Sequence, residues 1–221
     1  VVGAGEKAEV TCTGQDVYGN AVDDTWAIQV TPGGPDAGPD DGLLASNMKV
    51  EGRTVGTYAV ACADKTGAVD DTPVIVEVVH GLPWRLVAWT DDPLFVAGTS
   101  TGVGCDVEDK YGNVVPDLPV TFDLPGALSL TGLDLSGTAA GKYTIKCVPA
   151  GLEWTAFKLD PAVVEIVPAD PVTLDLQLSP AKPWYAPYEN VVVLALAHDE
   201  FGNAVPDVEL QPFEVSPADQ F

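Results

Sequence analysis

The sequence predicts an all-β fold in which tandem β-sandwich domains form an extended array. Three observations support this prediction. A block of sequence recurs about every 90 residues, and apolar residues alternate with polar ones on both sides of each block. The 22 glycines and 19 prolines are scattered as turn signals rather than concentrated in one tract. No helical periodicity extends beyond about ten residues.

The recurring block has an aromatic residue, a glycine and an asparagine at its centre. Its aromatic positions are 93 and then 90 residues apart, a period that fits one β-sandwich per repeat. Glycine and asparagine tolerate positive φ and a flanking Asp can accept backbone hydrogen bonds, so we predict a structural turn between two strands. The predicted turn residues are Tyr18, Gly19 and Asn20; Tyr111, Gly112 and Asn113; and Phe201, Gly202 and Asn203.

The repeats divide the chain into three predicted domains. Residues 1–79 form the first (repeat one), whose first strand we expect to lie upstream or to be missing, because repeat one has no equivalent of residues 82–93. Residues 80–168 form a complete domain (repeat two), and residues 169–221 form the truncated front half of a third (repeat three). Short proline-bearing linkers between them favour an extended rod.

Four cysteines occupy the same two landmarks of repeats one and two. Alternation places them on the inward faces of their strands, so we predict the disulfides Cys12–Cys62 and Cys105–Cys147. Free core thiols and a metal site are the alternatives, although no Cys-x-x-Cys spacing occurs. Disulfides imply an oxidising compartment, which is the extracellular space, the cell surface or the periplasm.

The charge balance excludes two classes of partner. The chain has 33 acidic and 10 basic residues, a net charge of −23, and such a surface repels nucleic acid and anionic lipid. The longest apolar run, residues 191–197, is far shorter than the roughly 20 residues of a membrane span. The expected partners are therefore a protein or a glycan, and the neighbouring repeats of the same chain.

The blocks, each followed in repeats one and two by a Gly-x-Tyr strand that begins at Gly56 or Gly141, resemble the bacterial immunoglobulin-like repeats of the invasin and intimin type. The resemblance covers both fuller repeats and the front of repeat three. It implies a rod-like stalk of tandem domains on a bacterial surface, with adhesion often confined to a terminal module. Two features depart from that group: a disulfide in each of two successive repeats, and the Gly/Pro-rich insertion at residues 32–42.

We therefore expect a non-catalytic structural or stalk segment of an exported surface or filament protein. The alternatives are a protein- or glycan-binding adhesion module, and accessory domains of a large secreted enzyme. Enzymatic chemistry has little support, because His80 and His198 are the only histidines and no Gly-x-Ser-x-Gly elbow occurs. Residues 3–8 fit a dinucleotide fingerprint without the strand and helix that it requires.

Calcium is the one ligand that the sequence suggests, and no other cofactor is expected. Clustered carboxylates in loops suit Ca²⁺, but no Asp-x-Asp-x-Asp-Gly loop occurs, and solvated loop charge is the alternative. The candidate ligands are Asp36, Asp40 and Asp41 in the insertion, and Asp91 and Asp92 before Pro93; Asp70 and Asp71 form a further acidic pair.

Overall fold

The structure is a computed structural model that describes residues 1–22, 24–34, 36–150, 157–186 and 188–209. All of the helical or strand structure in these ranges is β-strand, which confirms the predicted all-β class. The last part of the predicted third domain, residues 210–221, lies outside the described residues. No described segment forms a helix with the length and apolar character needed to cross a membrane.

The strands follow the repeats. Those of repeat one are β1 (Val2–Gly3), β2 (Lys7–Glu9), β3 (Gly14–Gln15), β4 (Ala21–Val22), β5 (Ala27–Pro32), β6 (Leu43–Ser46), β7 (Lys49–Gly52), β8 (Gly56–Ala63) and β9 (Val74–Val79). Those of repeat two are β10 (Pro83–Thr90), β11 (Leu94–Val96), β12 (Ser100–Asp109), β13 (Val120–Asp123), β14 (Leu128–Thr131), β15 (Asp134–Gly137), β16 (Gly141–Pro149), β17 (Lys158–Asp160) and β18 (Ala162–Val167). Those of repeat three are β19 (Thr173–Ser179), β20 (Val192–His198) and β21 (Ala204–Val205).

The chain divides into two compact units. The first comprises Val1–Trp89, Cys105–Asp123 and Lys146–Pro161. The second comprises Thr90–Gly104, Leu124–Ile145 and Ala162–Phe221. The strands β12 and β16 contribute residues to both units, and the domain boundaries after residues 79 and 168 stay predictions.

In the first unit, repeat one forms three sheets, of which the small one is the antiparallel pair β3-β4 and the two larger ones pack face to face. One has the strand order β1-β9-β8-β5, with β1 parallel to β9 and the other pairs antiparallel; the other has the order β2-β7-β6. The alternation along β8 turns Tyr58 and Val60 inward. They pack with Val78 of their own sheet and with Leu43 and Val50 of the facing sheet, so both sheets line one buried core.

The rest of the first unit comes from repeat two. Here β10 lies between β12 and β17 and runs parallel to β17, while β13 pairs antiparallel with β16. The exposed fraction of Leu86 on β10 is 1%, and that of Val107 on β12 is 5%. Burying an aliphatic side chain of this size stabilises a fold by about 1.5–3 kcal/mol.

The second unit repeats part of this topology. The strand β18 pairs parallel with β11 and antiparallel with β16, as β9 pairs parallel with β1 and antiparallel with β8. The strand β15 lies between β12 and β14, with both pairs antiparallel. Repeat three contributes the antiparallel order β19-β20-β21.

The structure contains disulfides in the two pairs that the sequence predicts. Cys12–Cys62 has a Cα–Cα distance of 5.9 Å, and Cys105–Cys147 one of 5.8 Å. Cys62 lies on β8, and the second disulfide joins β12 to β16. All four cysteines are paired, so the alternatives of free thiols and a thiolate metal site are not realised.

We expect the double substitution Cys105→Ala and Cys147→Ala to lower the free energy of unfolding by about 4 kcal/mol, because the disulfide closes a long loop in the unfolded chain. The matched pair Cys12→Ala and Cys62→Ala should cost about the same, since the two loops are of similar length (sequence separations of 42 and 50). Urea unfolding followed by tryptophan fluorescence measures both. An unchanged midpoint for either variant would contradict a structural role for that bridge.

Candidate functional site at the joints between repeats

The aromatic-Gly-Asn turn is built around one aspartate. In repeat two, Asp109 Oδ1 accepts hydrogen bonds from Tyr111 N at 2.8 Å and Asn113 N at 3.0 Å, and Asp109 Oδ2 accepts one from Asn113 Nδ2 at 2.7 Å. Gly112 has φ +88°, which is the left-handed conformation that glycine adopts at no steric cost. The carboxylate therefore holds the turn closed from inside.

The other two copies have the same bonds. Asp199 accepts them from Phe201 N, Asn203 N and Asn203 Nδ2, and Asp16 from Tyr18 N, Asn20 N and Asn20 Nδ2, at 2.7 to 2.9 Å. Only the glycine of each turn has a positive φ. The asparagine, predicted to share that backbone role, acts instead through its side chain.

In repeats two and three the aspartate also binds the linker that enters the repeat. Asp109 Oδ2 accepts a hydrogen bond from Gly81 N at 2.8 Å, and Asp199 Oδ2 accepts one from Ala169 N at 2.9 Å. Gly81 and Ala169 each lie two residues after the last strand of the preceding repeat, β9 or β18. The two bonds are therefore equivalent.

The carboxylates of the two aspartates are buried, so their hydrogen bonds are needed to offset the cost of desolvation. Asp109 is 1% exposed and Asp199 3% exposed. An ionised carboxylate has about four acceptor positions, and each of these two carboxylates accepts four hydrogen bonds. Desolvation by burial raises the pKa of Asp109, but hydrogen bonds from Asn113, Gly81 and Tyr111 outweigh it and hold the pKa below its ordinary value of 3.8. The pKa of Asp199 is lowered in the same way.

The asparagine side chain reaches the preceding repeat. Asn113 Oδ1 accepts a hydrogen bond from Val55 N at 2.9 Å, and Asn113 Nδ2 donates one to Arg53 O at 2.7 Å. The amide thus pairs with the backbone of the loop before β8 much as a neighbouring strand would. At the second joint the equivalent atoms are Asn203 Oδ1 with Ala140 N at 2.7 Å, and Asn203 Nδ2 with Thr138 O at 2.8 Å, in the loop before β16.

The aromatic ring lies against a glycine of the preceding repeat. An added Cβ at Gly5 would lie 3.1 Å from Tyr111 Cε2, and one at Gly98 would lie 2.5 Å from Phe201 Cζ. Both glycines have positive φ, +90° and +83°, and they are 93 positions apart in the sequence. A side chain at either position would push the ring away.

The three contacts together define what we call the repeat joint: aspartate to linker, asparagine to loop, and aromatic ring to glycine. The first joint lies within the first unit, and the second lies within the second unit. Each joint fixes a turn, a linker and a loop relative to one another through hydrogen bonds that centre on a buried aspartate. Such an arrangement positions protein segments and offers no reacting group.

The candidate calcium ligands are not assembled. Asp36, Asp40, Asp41, Asp91 and Asp92 are all exposed. Across the described ranges, no three His, Cys, Asp or Glu side chains are grouped where they could hold a metal ion. The calcium hypothesis therefore has no geometric support and stays a prediction.

Sequence reasoning identified the turns but missed their contacts with the preceding repeat. The backbone partners Arg53, Val55 and Gly81 were not predicted, and no contact was predicted for Gly5. One signal was available: Gly5 and Gly98 have the same spacing as the aromatic residues Tyr18 and Tyr111. The spacing alone does not show that the ring of one repeat contacts the glycine of the preceding repeat, because this pairing requires the positions of both repeats in space.

No protein-family model matches the sequence, and no curated protein matches it significantly. Similar solved structures include InvD of Yersinia pseudotuberculosis, with 14% identity and a TM-score of 0.42 over 87% of this chain and 65% of that one. They also include the Escherichia coli adhesin FdeC (14% identity, TM-score 0.45, 93% and 73%) and invasin, a bacterial integrin-binding protein (16%, 0.43, 89% and 44%). This chain thus spans less than two thirds of the InvD and invasin chains. Invasin is the protein for which the group of repeats resembled by the sequence motifs is named.

We expect Asn113→Ala to lower the free energy of unfolding of the first unit by about 2 kcal/mol, because Val55 N and Arg53 O lose their partners in a partly buried joint. The matched control is Asn20→Ala, which breaks the equivalent side-chain bond within the turn, from Asn20 Nδ2 to Asp16 Oδ2, and no bond to another repeat among the described residues. Its cost should be about 1 kcal/mol or less. Urea unfolding measures the cost, and hydrogen exchange of the Val55 amide, faster only in Asn113→Ala, locates it. If the two substitutions lowered the free energy of unfolding equally, the bonds of Asn113 to the preceding repeat would not contribute to stability.

We also expect the free energy of unfolding to fall in acid, because these aspartates become protonated. The folded-state pKa of Asp109 lies below 3.8, so its stabilising contribution is complete above that value and is lost as the pH falls through the folded pKa. Asp109→Asn should therefore flatten the loss of stability below about pH 4. Asp16→Asn is the matched comparison: hydrogen bonds from Asn20 and Tyr18 also lower the pKa of Asp16, so a larger change for Asp109→Asn isolates the bond from Gly81. Thermal unfolding between about pH 2 and pH 5 measures this dependence. If the stability of Asp109→Asn fell with pH as steeply as that of the unsubstituted chain, the contribution assigned to Asp109 would be wrong.

Proposed function

We propose that this chain is a non-catalytic stalk segment of an exported bacterial surface protein, in which the repeat joints set the orientation of successive domains. One observation supports the proposal above all others. The same three contacts recur at equivalent positions of two successive pairs of repeats. An incidental contact would have no reason to recur atom for atom.

The joints would give the stalk its stiffness. A linker alone leaves neighbouring domains free to swivel, and relative domain motion is the default unless an interface opposes it. Here Asp109 ties the linker to the turn, and Asn113 ties the turn to the preceding loop. Each hydrogen bond contributes about 0.5–1.5 kcal/mol net, and breaking one in a partly buried joint costs more where a donor or acceptor is left unsatisfied.

The covalent and surface chemistry supports a location outside the cytosol. Two disulfides, each closing a separate repeat, would persist only under oxidising conditions. The net charge of −23 favours solubility and opposes association with anionic surfaces. Both features suit a segment whose role is to extend a chain away from a cell.

The lining of one cavity in repeat one supports a non-catalytic role. The cavity has a volume of about 750 Å³ and is lined mainly by apolar and hydroxyl side chains, with no histidine, lysine or arginine. Its acids include Asp64 and Asp70, whose Oδ1 atoms accept hydrogen bonds from Thr66 and Thr72 of their own turns. These bonds lower the pKa of both carboxyl groups, which keeps them ionised and unsuited to act as general acids.

Pulsed electron–electron double resonance, which measures the distance between two spin labels, tests the proposal across the first joint. Spin labels at Ser46→Cys and Thr121→Cys would occupy exposed positions in repeats one and two. We expect a narrow distance distribution that broadens several-fold when Asp109→Ala and Asn113→Ala are combined, because the linker and the loop are both released. Asp16→Ala with Asn20→Ala is the matched control and should leave the width unchanged. A broad distribution in the unsubstituted chain would refute the stiff stalk.

A further inference from the structure

The first copy of the turn is formed but contacts no other repeat among the described residues. Its aspartate makes the same three hydrogen bonds within the turn as the other copies. Tyr18, however, is 87% exposed, whereas Tyr111 and Phe201 are 37% and 39% exposed. Asp16 and Asn20 are also exposed. The turn thus presents the hydrogen-bonding groups and the ring of a repeat joint on an open surface.

We propose that residues 16–20 are a docking surface for the end of another repeat of the same kind, joined to repeat one in the same polypeptide. The inference rests on the proposed stalk function and names the partner of this surface. The partner supplies three groups: a linker N–H for Asp16 Oδ2, a backbone N–H and C=O two residues apart for the amide of Asn20, and a glycine with positive φ beneath the ring of Tyr18.

The two formed joints support each of these groups. Asp109 Oδ2 and Asp199 Oδ2 each accept two hydrogen bonds, one from the asparagine and one from the linker. Asp16 Oδ2 accepts only the one from Asn20 among the described residues. Because the turn has the same internal bonds in all three copies, no rearrangement is needed for Asp16 to accept the second.

The position of the linker favours a covalently joined repeat over a second copy of the chain. At both formed joints the donor to the aspartate lies two residues after the preceding repeat ends, so the linker itself completes the joint. A second copy has no equivalent end to offer from repeats one and two, because their loops and glycines already contact Asn113, Tyr111, Asn203 and Phe201.

An independent observation in the core of repeat one supports the same partner. In repeat two, Val103 and Val164 are 0% exposed, and β10 lies beside β12. The equivalents Val10 and Val76 are only partly buried and line the 750 Å³ cavity. A linker that docks on Asp16 continues, as in repeat two, into a strand equivalent to β10. That strand would cover the cavity.

The test is a tandem chain in which residues 1–93 are followed directly by residues 1–221. The copies of the turn in repeats one and two are 93 residues apart, so this fusion gives the second copy of repeat one the end, linker and first strand that precede repeat two. Tyrosine nitration, mapped by mass spectrometry, reports ring exposure. In the 221-residue chain Tyr18 should react as readily as Tyr188, which is fully exposed.

In the tandem chain we expect the second Tyr18 to react less than half as fast, to the level of Tyr111. Asn20→Ala in that second copy should restore its reactivity, and Asn20→Ala in the first copy should not. A folded tandem chain in which both copies of Tyr18 stay fully reactive would overturn the proposal. Self-association of the 221-residue chain that Asn20→Ala abolishes would also overturn it, in favour of a second copy.

These outcomes are distinct from a failure of the stalk function. That function fails if the spin-label distances across the first joint are broad in the unsubstituted chain. The docking surface fails if those distances are narrow and Tyr18 of the tandem chain nevertheless stays exposed.

Discussion

A buried, ionised aspartate at each joint is the interaction on which the rest of the arrangement depends. Moving an isolated carboxylate out of water is costly unless its acceptor positions are filled. Asp109 meets this requirement with three N–H groups from its own turn and one from the linker at Gly81. The conformation of the turn and the position of the linker therefore depend on the same charge. Any change that opens the turn or displaces the linker leaves the buried carboxylate with an unfilled acceptor position.

The asparagine transmits that order to the preceding repeat. Its Nδ2 group has two hydrogens, and Asn113 uses one for Asp109 Oδ2 and the other for Arg53 O. The aspartate thereby orients an amide whose remaining oxygen binds Val55 N. A glutamine or serine at this position would reach the loop with a different geometry or with fewer groups. This explains why the same residue types recur at both joints.

Much of the fold could be predicted from the sequence because it depends on local pattern and on spacing. Alternation identified β8 and β16 and the inward faces of Cys62 and Cys147, and the repeat period identified their partners Cys12 and Cys105. The turn itself follows from Gly112 and the aspartate. These features require only the chain within one repeat.

The joint could not be predicted in the same way, because its partners are backbone groups of a different repeat. The N–H of Val55 and the carbonyl of Arg53 have no residue-type signature. Asparagine tolerates positive φ, yet the backbone of Asn113 does not adopt it and the side chain instead binds across the joint. The acidic loops suggested calcium, but acidity in a chain of net charge −23 is everywhere and identifies no ligand set.

The most direct measurement of this account is detection of the joint hydrogen bonds themselves by nuclear magnetic resonance. In uniformly labelled chain, scalar couplings through hydrogen bonds should connect the Gly81 amide nitrogen to the Asp109 carboxyl carbon, and the Val55 amide nitrogen to the Asn113 side-chain carbonyl carbon. Observing both couplings at neutral pH, with slow exchange of both amides, is the predicted result. Absence of both couplings, with the two amides exchanging at the rate of an open loop, would contradict it.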